Sequence, residues 1–409
     1  MSNKVIVIGA GAAGLMAAAQ AAGRKKEVLL LEKNDTVGKK LLISGKGRCN
    51  ITNSIDIEGM IQNIPGNGNF LYSSFYTFSN EDIIELLSNE GLETKVERGG
   101  RVFPVSDNAK DVVRVLQRLA VKGGAQIKLK AAVHEILVDD GAVSGVKMKN
   151  GDFIEADSIV LATGGASYPG TGSTGDGYSM ARKLGHTIIP LKPSLVPLLT
   201  CENWISKLQG LSLKNISITI FDKKGRKIVS DFGEMLFTHY GVSGPLILSA
   251  SRHIMQYDYK DVRLVIDLKP ALDEEKLDAR IQRDFEKYSR KQFKNSLDDL
   301  LPQKMIPVIV ELSQISADKP VNQITKTERR AIAKLIKSFT LNISGARPIS
   351  EAIVTAGGIS TDEINPSTME SKLVKGLFMA GEVIDVDGYT GGFNLTIAFS
   401  TGYVAGMNC

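Results

Sequence analysis

The chain has 409 residues, more than one hydrophobic core usually serves, and 43% of them are hydrophobic, so two or three globular domains are expected and a disordered chain is excluded. Its 50 Lys and Arg and 45 Asp and Glu are well mixed, so the net charge of +5 suits an anionic cofactor, and without a basic block no nucleic-acid partner is expected. The three cysteines, Cys49, Cys201 and Cys409, lie far apart, which argues against a disulfide framework or a metal site and for a reducing, cytoplasmic setting.

Residues 5–8, VIVI, predict a buried strand. GAGAAG (9–14) and a helix-forming LMAAAQAAG follow, then a second strand, EVLLLE, ending at Glu32. Val5 to Gly23 is apolar apart from Gln20 and imitates a signal peptide or a membrane span. The glycine spacing favours strand, G-x-G-x-x-G, helix, strand, acid instead. In that reading Gly9 permits the tight turn, Gly11 lets backbone approach a pyrophosphate, and Gly14 packs helix on strand. The N-terminus of the helix that follows offers free N–H groups to the pyrophosphate, and Glu32 accepts from a ribose with a free 2′-OH, as in FAD or NAD.

A simple NAD domain would continue into a helix after this strand. Here Lys33, Gly38, Lys39, Lys40 and Leu41 lead into the polar SGKGRCNITN (44–53), a long loop that suggests a cofactor reaching past the pyrophosphate. Residues 127–165 read as three short strands, with Val133 in the first and turns at Asp139-Asp140-Gly141 and Asn150-Gly151, before a buried strand and ATGG. A meander ending in ATGG is a flavoprotein habit. GTGSTG (170–175) also matches G-x-G-x-x-G, but Tyr168-Pro169 precedes it rather than a strand, and no acid ends a strand some 20 residues on. It reads as a loop near FAD, followed by a helix to about Leu184, so no second dinucleotide-binding fold is expected.

Pro190, Pro193 and Pro197 mark a boundary. LKNISITIFDKKGRKIVS predicts a hairpin turning at Lys223-Lys224-Gly225, and VRLVIDL another strand; between them LFTHYGVSGP (236–245) carries Thr238, His239 and Tyr240. Residues 273–340 are charged and helix-periodic, a cap over the site or a homodimer contact. Residues 376–406 read as strand, loop and a helix opening at Gly391-Gly392-Phe393-Asn394, whose N–H groups would face the flavin C2=O and N1, with Asn394 adding a side-chain contact. Gly402 and Gly406 read as packing glycines.

SGKGRCNITN, IPGNGNFLYSSF (64–75), GRVFPVS (100–106), TGGASYPGTGSTGDGY (163–178), LFTHYGVSGP, EINPSTMESK (363–372) and TGGFN together resemble, over essentially the whole chain, the bacterial flavoproteins that include aminoacetone oxidase and the BaiN-type oxidoreductases. The resemblance implies an α/β fold. A Rossmann-like, doubly wound FAD-binding domain (1–189 plus 346–409) would carry an inserted β-rich domain (190–271, regaining a strand near 338–345) and a small helical domain (272–337). It implies non-covalent FAD. Candidate contacts are Gly9, Gly11, Ala12, Ala13, Gly14 and Glu32 in the first motif, then Lys33, Gly38, Lys40 and Leu41. Ser44, Gly45, Gly47, Arg48, Cys49 and Asn50 would line FAD from the pyrophosphate toward the ring, with Arg48 or Lys46 supplying positive charge and Cys49 read as a packing residue rather than a redox thiol. Val133, Thr163, Gly164 and Gly165 follow, then Gly381, Glu382, Gly392, Phe393 and Asn394.

No catalytic residue is assigned; Tyr168, His239 and Tyr389 are substrate-side candidates. The implied function is an FAD-dependent oxidoreductase moving a hydride between a small organic substrate and flavin N5, with small amines such as aminoacetone in view. Its rival is an NAD(P)H-dependent reductase of unsaturated substrates, with NAD(P)H a transient co-substrate. A flavin-containing RNA-binding or scaffold protein is the alternative of another class. No membrane attachment is expected.

Overall fold

The structure, a computed structural model, describes residues 4–409 in two compact units. One comprises the described residues through Ser194 together with Ile349–Cys409; the other is Leu195–Pro348.

The first unit is built on five parallel strands, β1 (Lys4–Ile8), β2 (Glu27–Leu31), β3 (Gln126–Lys128), β4 (Ser158–Leu161) and β5 (Leu377–Met379), in the order β5-β4-β1-β2-β3. β1 and β4 are near-continuous apolar runs and are buried along their length, as strands covered on both faces must be. Helices α1 (Ala12–Gly23), α2 (Ala109–Gly123) and α3 (Phe393–Asn408) complete its main layers. α1 buries nine of its twelve residues, mostly alanine, so another helix can approach closely. α3 does so: a Cβ at Gly402 would overlap the Ala13 carbonyl oxygen, and one at Gly406 that of Ala17. The apolar stretch Val5 to Gly23 is therefore core strand, turn and helix. No helix among the described residues is long and apolar enough to cross a membrane.

Register aligns the carboxyl ends of the strands. Ile8 pairs with Leu31 and with Leu161, and Leu161 with Met379. Gly9, Glu32, Ala162 and Ala380 thus stand in one row. From β1 the chain order runs outward both ways, to β2 and β3 on one side and β4 and β5 on the other, so this row is the switch point at which open parallel sheets bind ligands. The meander Val133–Asp139, Ala142–Met148 and Phe153–Glu155 is inserted between β3 and β4. A small sheet, Thr52–Asn53, Arg101–Pro104 and Thr94–Glu97, holds the end of the 44–53 stretch. The loop expected after β2 contains a short helix, Lys39–Ile43, because Gly38 turns left-handed (φ +67°) with its N–H bonded to Ala10 O at 2.8 Å.

The second unit holds a closed six-stranded antiparallel barrel, in the order Leu198–Thr200, Gly241–Ser243, Lys227–Phe237, Ser212–Phe221, Val262–Asp267, Phe339–Ala346. Helices Glu274–Lys287, Ile306–Ser313 and Lys326–Lys337, within the segment 272–337, belong to this same unit.

Candidate cofactor site

Three glycines of the first motif do different work. Gly9 has φ +101°, and a Cβ there would sit 2.6 Å from Ala162 O. A Cβ at Gly14 would overlap the Gly9 carbonyl oxygen. The fold itself requires both. Gly11 has an extended backbone (φ −81°, ψ −167°), and a Cβ there meets no protein atom within 4 Å. It stands at the N-cap of α1, which has no side-chain cap, so the helix start is open to an anion.

Glu32 is 7% exposed and largely engaged. One oxygen accepts from Ala10 N at 2.8 Å and the other from Asn34 N and Nδ2, each at 2.8 Å. A carboxylate offers about four acceptor positions. Most of this one ties the end of β2 to the glycine turn, leaving little for a ribose. Ala131 N donates to Glu32 O at 2.8 Å, bringing the start of the meander against this turn; Val133 itself is buried and paired with Met148.

The 44–53 stretch curls left-handed: Gly45, Lys46, Gly47 and Cys49 have φ between +56° and +83°. Arg48 is held by partners within the protein. Its guanidinium bonds Glu97 at 2.7 and 3.3 Å and Asp107 at 3.2 Å, and lies over the Phe103 ring 4.0 Å from its centroid. Two carboxylates neutralise it, so it straps the loop to the neighbouring strands. Lys46 is exposed. Cys49 is fully buried and burial pushes its thiol up to about 11, which suits packing and not redox chemistry. Ser44 Oγ donates to Leu41 O at 2.7 Å. Leu41 is core. Asn50 Oδ1 is buried with no hydrogen-bond partner.

This stretch abuts the start of α3. A Cβ at Gly392, the α3 N-cap, would overlap the Thr52 backbone. Thr52 and Thr396 hydroxyls share a buried bond of 2.7 Å, and Asn53 Nδ2 donates to Gly391 O at 3.1 Å. Asn394 is bonded to its own loop. Its Oδ1 accepts from Gly388 N at 2.9 Å, and its Nδ2 donates to Gly388 O at 2.8 Å and Tyr389 O at 3.2 Å. Both Nδ2 hydrogens stay within its own loop while Oδ1 keeps a second acceptor position, and Phe393 is core.

Most of the remaining candidates are bonded or packed within the protein. Lys40 Nζ pairs with Glu382 at 2.6 Å and donates to Ser167 Oγ at 2.7 Å; the other Glu382 oxygen accepts from Thr355 N at 2.8 Å. A Cβ at Gly165 would sit 2.6 Å from that oxygen. Gly164 turns left-handed beside Ser173, Gly381 N donates to Thr401 Oγ1 at 2.9 Å, and Thr163 Oγ1 is buried and unpartnered. Lys33 pairs with Asp176 at 2.7 Å, and Asn34 Nδ2 donates to Thr171 O at 3.1 Å, fastening the 170–175 loop over the Glu32 turn. Sequence reasoning passed over Asn34, Ser167 and Thr355; each is an ordinary polar residue whose partner lies far along the chain.

Tyr168 has φ +52°, with its N–H on Ser350 O at 3.2 Å, and Tyr389 N donates to Asn63 O at 2.9 Å. His239 belongs to the second unit, its ring edge-on to Tyr240 with centroids 4.8 Å apart; the Arg347 guanidinium lies 4.7 Å from the Tyr240 centroid.

The sequence model of the HI0933-like protein Rossmann domain matches residues 3–408. The chain belongs to this family. It is 32% identical to the 3-dehydro-bile acid delta(4,6)-reductase of Clostridium scindens, over 99% of this chain and 98% of that one. It is also 32% identical to the ribosomal RNA dihydrouridine synthase of Haemophilus influenzae (98% and 97% covered) and 30% identical to that of Escherichia coli (98% and 97%). Among solved structures it is similar to 3-ketosteroid delta1-dehydrogenase from Sterolibacterium denitrificans (TM-score 0.54, 13% identity, 99% of each chain) and to E. coli quinol fumarate reductase FrdA (0.52, 19%, 100% of this chain and 69% of that one), likenesses of fold. The family is one of FAD-dependent oxidoreductases with a Rossmann-type FAD-binding fold, and the chain is an enzyme of that kind. Its residues fit FAD: the open side of Gly11 and the uncapped start of α1 leave room and N–H donors for a pyrophosphate.

Proposed function

We propose that this enzyme reduces a carbon–carbon double bond conjugated to a carbonyl. One observation carries the reading: near-full-length relatives named for unlike substrates are named for one reaction. A 3-dehydro-bile acid with Δ4,6 unsaturation is a conjugated dienone, and dihydrouridine is uridine whose ring double bond, conjugated to a carbonyl, has been reduced. Oxidation of a small amine such as aminoacetone has no comparable support.

FAD, when bound, supplies the hydride-transfer chemistry. In this proposal α1 and Gly11 hold its pyrophosphate non-covalently, and the start of α3 points N–H groups at the pyrimidine side of the ring, where negative charge collects on reduction. A hydride delivered to the carbon β to the carbonyl must be matched by a proton at the α carbon. Tyr168 is our candidate donor. It sits on the segment leaving β4, its left-handed backbone is the kind of strain that clusters at working sites, and burial, with Glu351 nearby, pushes its phenol above the usual range, so it is protonated at neutral pH. Electrons come from NAD(P)H bound transiently.

The test is anaerobic. The purified protein should show flavin bands that NADH or NADPH bleaches and a 3-oxo-4,6-diene restores. Tyr168→Phe should keep the spectrum and the bleaching but slow the restoration by about 10²-fold. Bleaching by aminoacetone, with none by NAD(P)H, would refute the reading. A second reading places the double bond in an RNA nucleobase, against the expectation of no nucleic-acid partner. It is favoured by the relatives' name and by the charge of the second unit, where Leu195–Pro348 carries 25 Lys and Arg against 18 Asp and Glu. Ribosomal RNA restoring the bands where the diene does not would select it.

A further inference from the structure

His186 is one of four histidines and is 3% exposed. Its Nε2 lies 3.0 Å from Ser371 Oγ and its Nδ1 3.1 Å from Glu363 Oε2. The neighbours decide which ring nitrogen carries hydrogen. Ser371 Oγ already accepts from Leu373 N at 3.0 Å and Val374 N at 2.9 Å. Both its lone pairs are taken, so its O–H must donate, and Nε2 is there to accept. At the other end a carboxylate oxygen only accepts, so Nδ1 must donate to it. Both ends demand the same ring: neutral, with its hydrogen on Nδ1. A proton added at Nε2 would make it a donor facing a hydroxyl with no lone pair to spare.

These bonds reach the sheet. Residues 369–371 run along β5, its outermost strand: Ser371 N donates to Leu377 O at 2.7 Å and Met379 N to Met369 O at 2.9 Å. They cover a strand edge, and β5 runs straight into Ala380 of the cofactor row. Glu363 Oε2 also accepts from Thr187 N at 2.9 Å, so residues 186 and 187 fasten both ends of the 363–371 loop. We propose that His186 is a proton-operated clasp. Neutral, it holds this loop along β5; charged, it releases Ser371 and loosens the strand that leads to the cofactor row. Glu363 is the charged group bonded to the ring. Of the others nearby, Lys372 donates to Asp362 O at 2.8 Å, Arg182 is exposed, and Lys183 leans to Glu135 at 3.6 Å. Ile188–Ser194 carries Lys192, while β5 and Val354–Ile359 carry no charged residue. Burial holds the imidazole below its usual 6.5, in keeping with a neutral ring. The effect on the cofactor rests on the FAD reading above; the tautomer does not.

The full-length protein, loaded with FAD and isotopically labelled in its histidine ring nitrogens, is followed by NMR; the signals missing from His186→Gln identify the residue. At neutral pH His186 should show a protonated Nδ1 and a bare Nε2. A bare Nδ1, or a charged ring, overturns the proposal. FAD release is then timed by flavin fluorescence from about pH 7.5 to about pH 5.5. Wild type should release FAD faster toward acid, by up to about tenfold per pH unit, the limit for one linked proton. His186→Gln has nothing to protonate there and should give a flatter profile, whatever its starting rate. The same pH dependence in both proteins overturns the clasp. Failure to hold FAD even at neutral pH refutes the FAD reading itself, and the clasp then stands or falls on the tautomer.

Discussion

Gly11→Val separates the cofactor from the fold. At most glycines of this unit a side chain would meet protein; at Gly11 an added Cβ meets nothing within 4 Å, and the extended backbone accepts any L-residue. The cost to the apoprotein is then an N-cap preference of about 0.5–1 kcal/mol, offset by about 0.4–1 kcal/mol from a stiffer unfolded chain. Stability should change by less than about 0.5 kcal/mol on these two terms. The bound pyrophosphate has no such latitude. Two isopropyl methyls at the mouth of α1 would hold it off the helix N–H groups, and two charge-assisted hydrogen bonds at about 1.5–3 kcal/mol each amount to roughly 10²–10⁴-fold in Kd. The assay pairs urea unfolding of the apoprotein with flavin released on heat denaturation. An apoprotein destabilised by several kcal/mol would show that Gly11 packs against protein after all. A normally folded variant that still carries a full equivalent of FAD would refute the whole reading of the first motif.

Other consequences are checked as simply. Of the three thiols, exposed Cys201 should react quickly with a chromogenic disulfide at pH 8, while Cys49 and Cys409, each pushed by burial to about 11, should react only on unfolding. Gly402→Ala, whose methyl would overlap Ala13 O, should destabilise by about 1–3 kcal/mol in thermal unfolding, whereas Gly91→Ala, open to solvent, loses only its left-handed turn. His186 is buried between Glu363 (3.1 Å) and Ser371 (3.0 Å), and burial holds its imidazole below the usual 6.5. The unfolded chain therefore takes up that proton first, so stability present above about pH 6.5 should be lost progressively as pH falls below it, and His186→Gln should flatten that limb of a pH–stability curve. Lys40→Met should harm stability more than Lys40→Met with Glu382→Gln, because the single change strands a part-buried carboxylate.

Strands β1, β4 and β5 were legible as apolar runs next to glycines, and the meander because its turns carry Asp-Gly and Asn-Gly; the polar edge strand Gln126–Lys128 carries no such signal and read as the start of the meander. The α3 start was legible too, from paired glycines after a short strand. What escaped was the destination of polar side chains. Arg48 in SGKGRCN has the composition of an anion contact, but its partners Glu97 and Asp107 are some 50 and 60 residues on and nothing local announces them. Asn394 follows two glycines and reads as a ligand contact, yet it bonds backward to residues 388 and 389, a loop conformation that sequence alone does not supply. The five-residue helix after β2 escaped for the opposite reason: it is too short to show a period, and Gly38 starts it.

These partnerships share a cause. A site at the carboxyl ends of parallel strands is walled by loops, and loops must satisfy their own backbone and charges before they can serve a ligand. Here Lys33, Lys40, Glu32, Arg48 and Asn394 do that structural work, each bonded to protein. In the proposed site, backbone serves the dinucleotide: the N–H groups at the starts of α1 and α3, and the space where Gly11 lacks a Cβ. A site made this way tolerates exchange of its charged residues so long as the loops close, but not of its glycines. It also leaves substrate choice to parts of the chain outside the sheet, which fits one family holding relatives named for a bile acid and for ribosomal RNA.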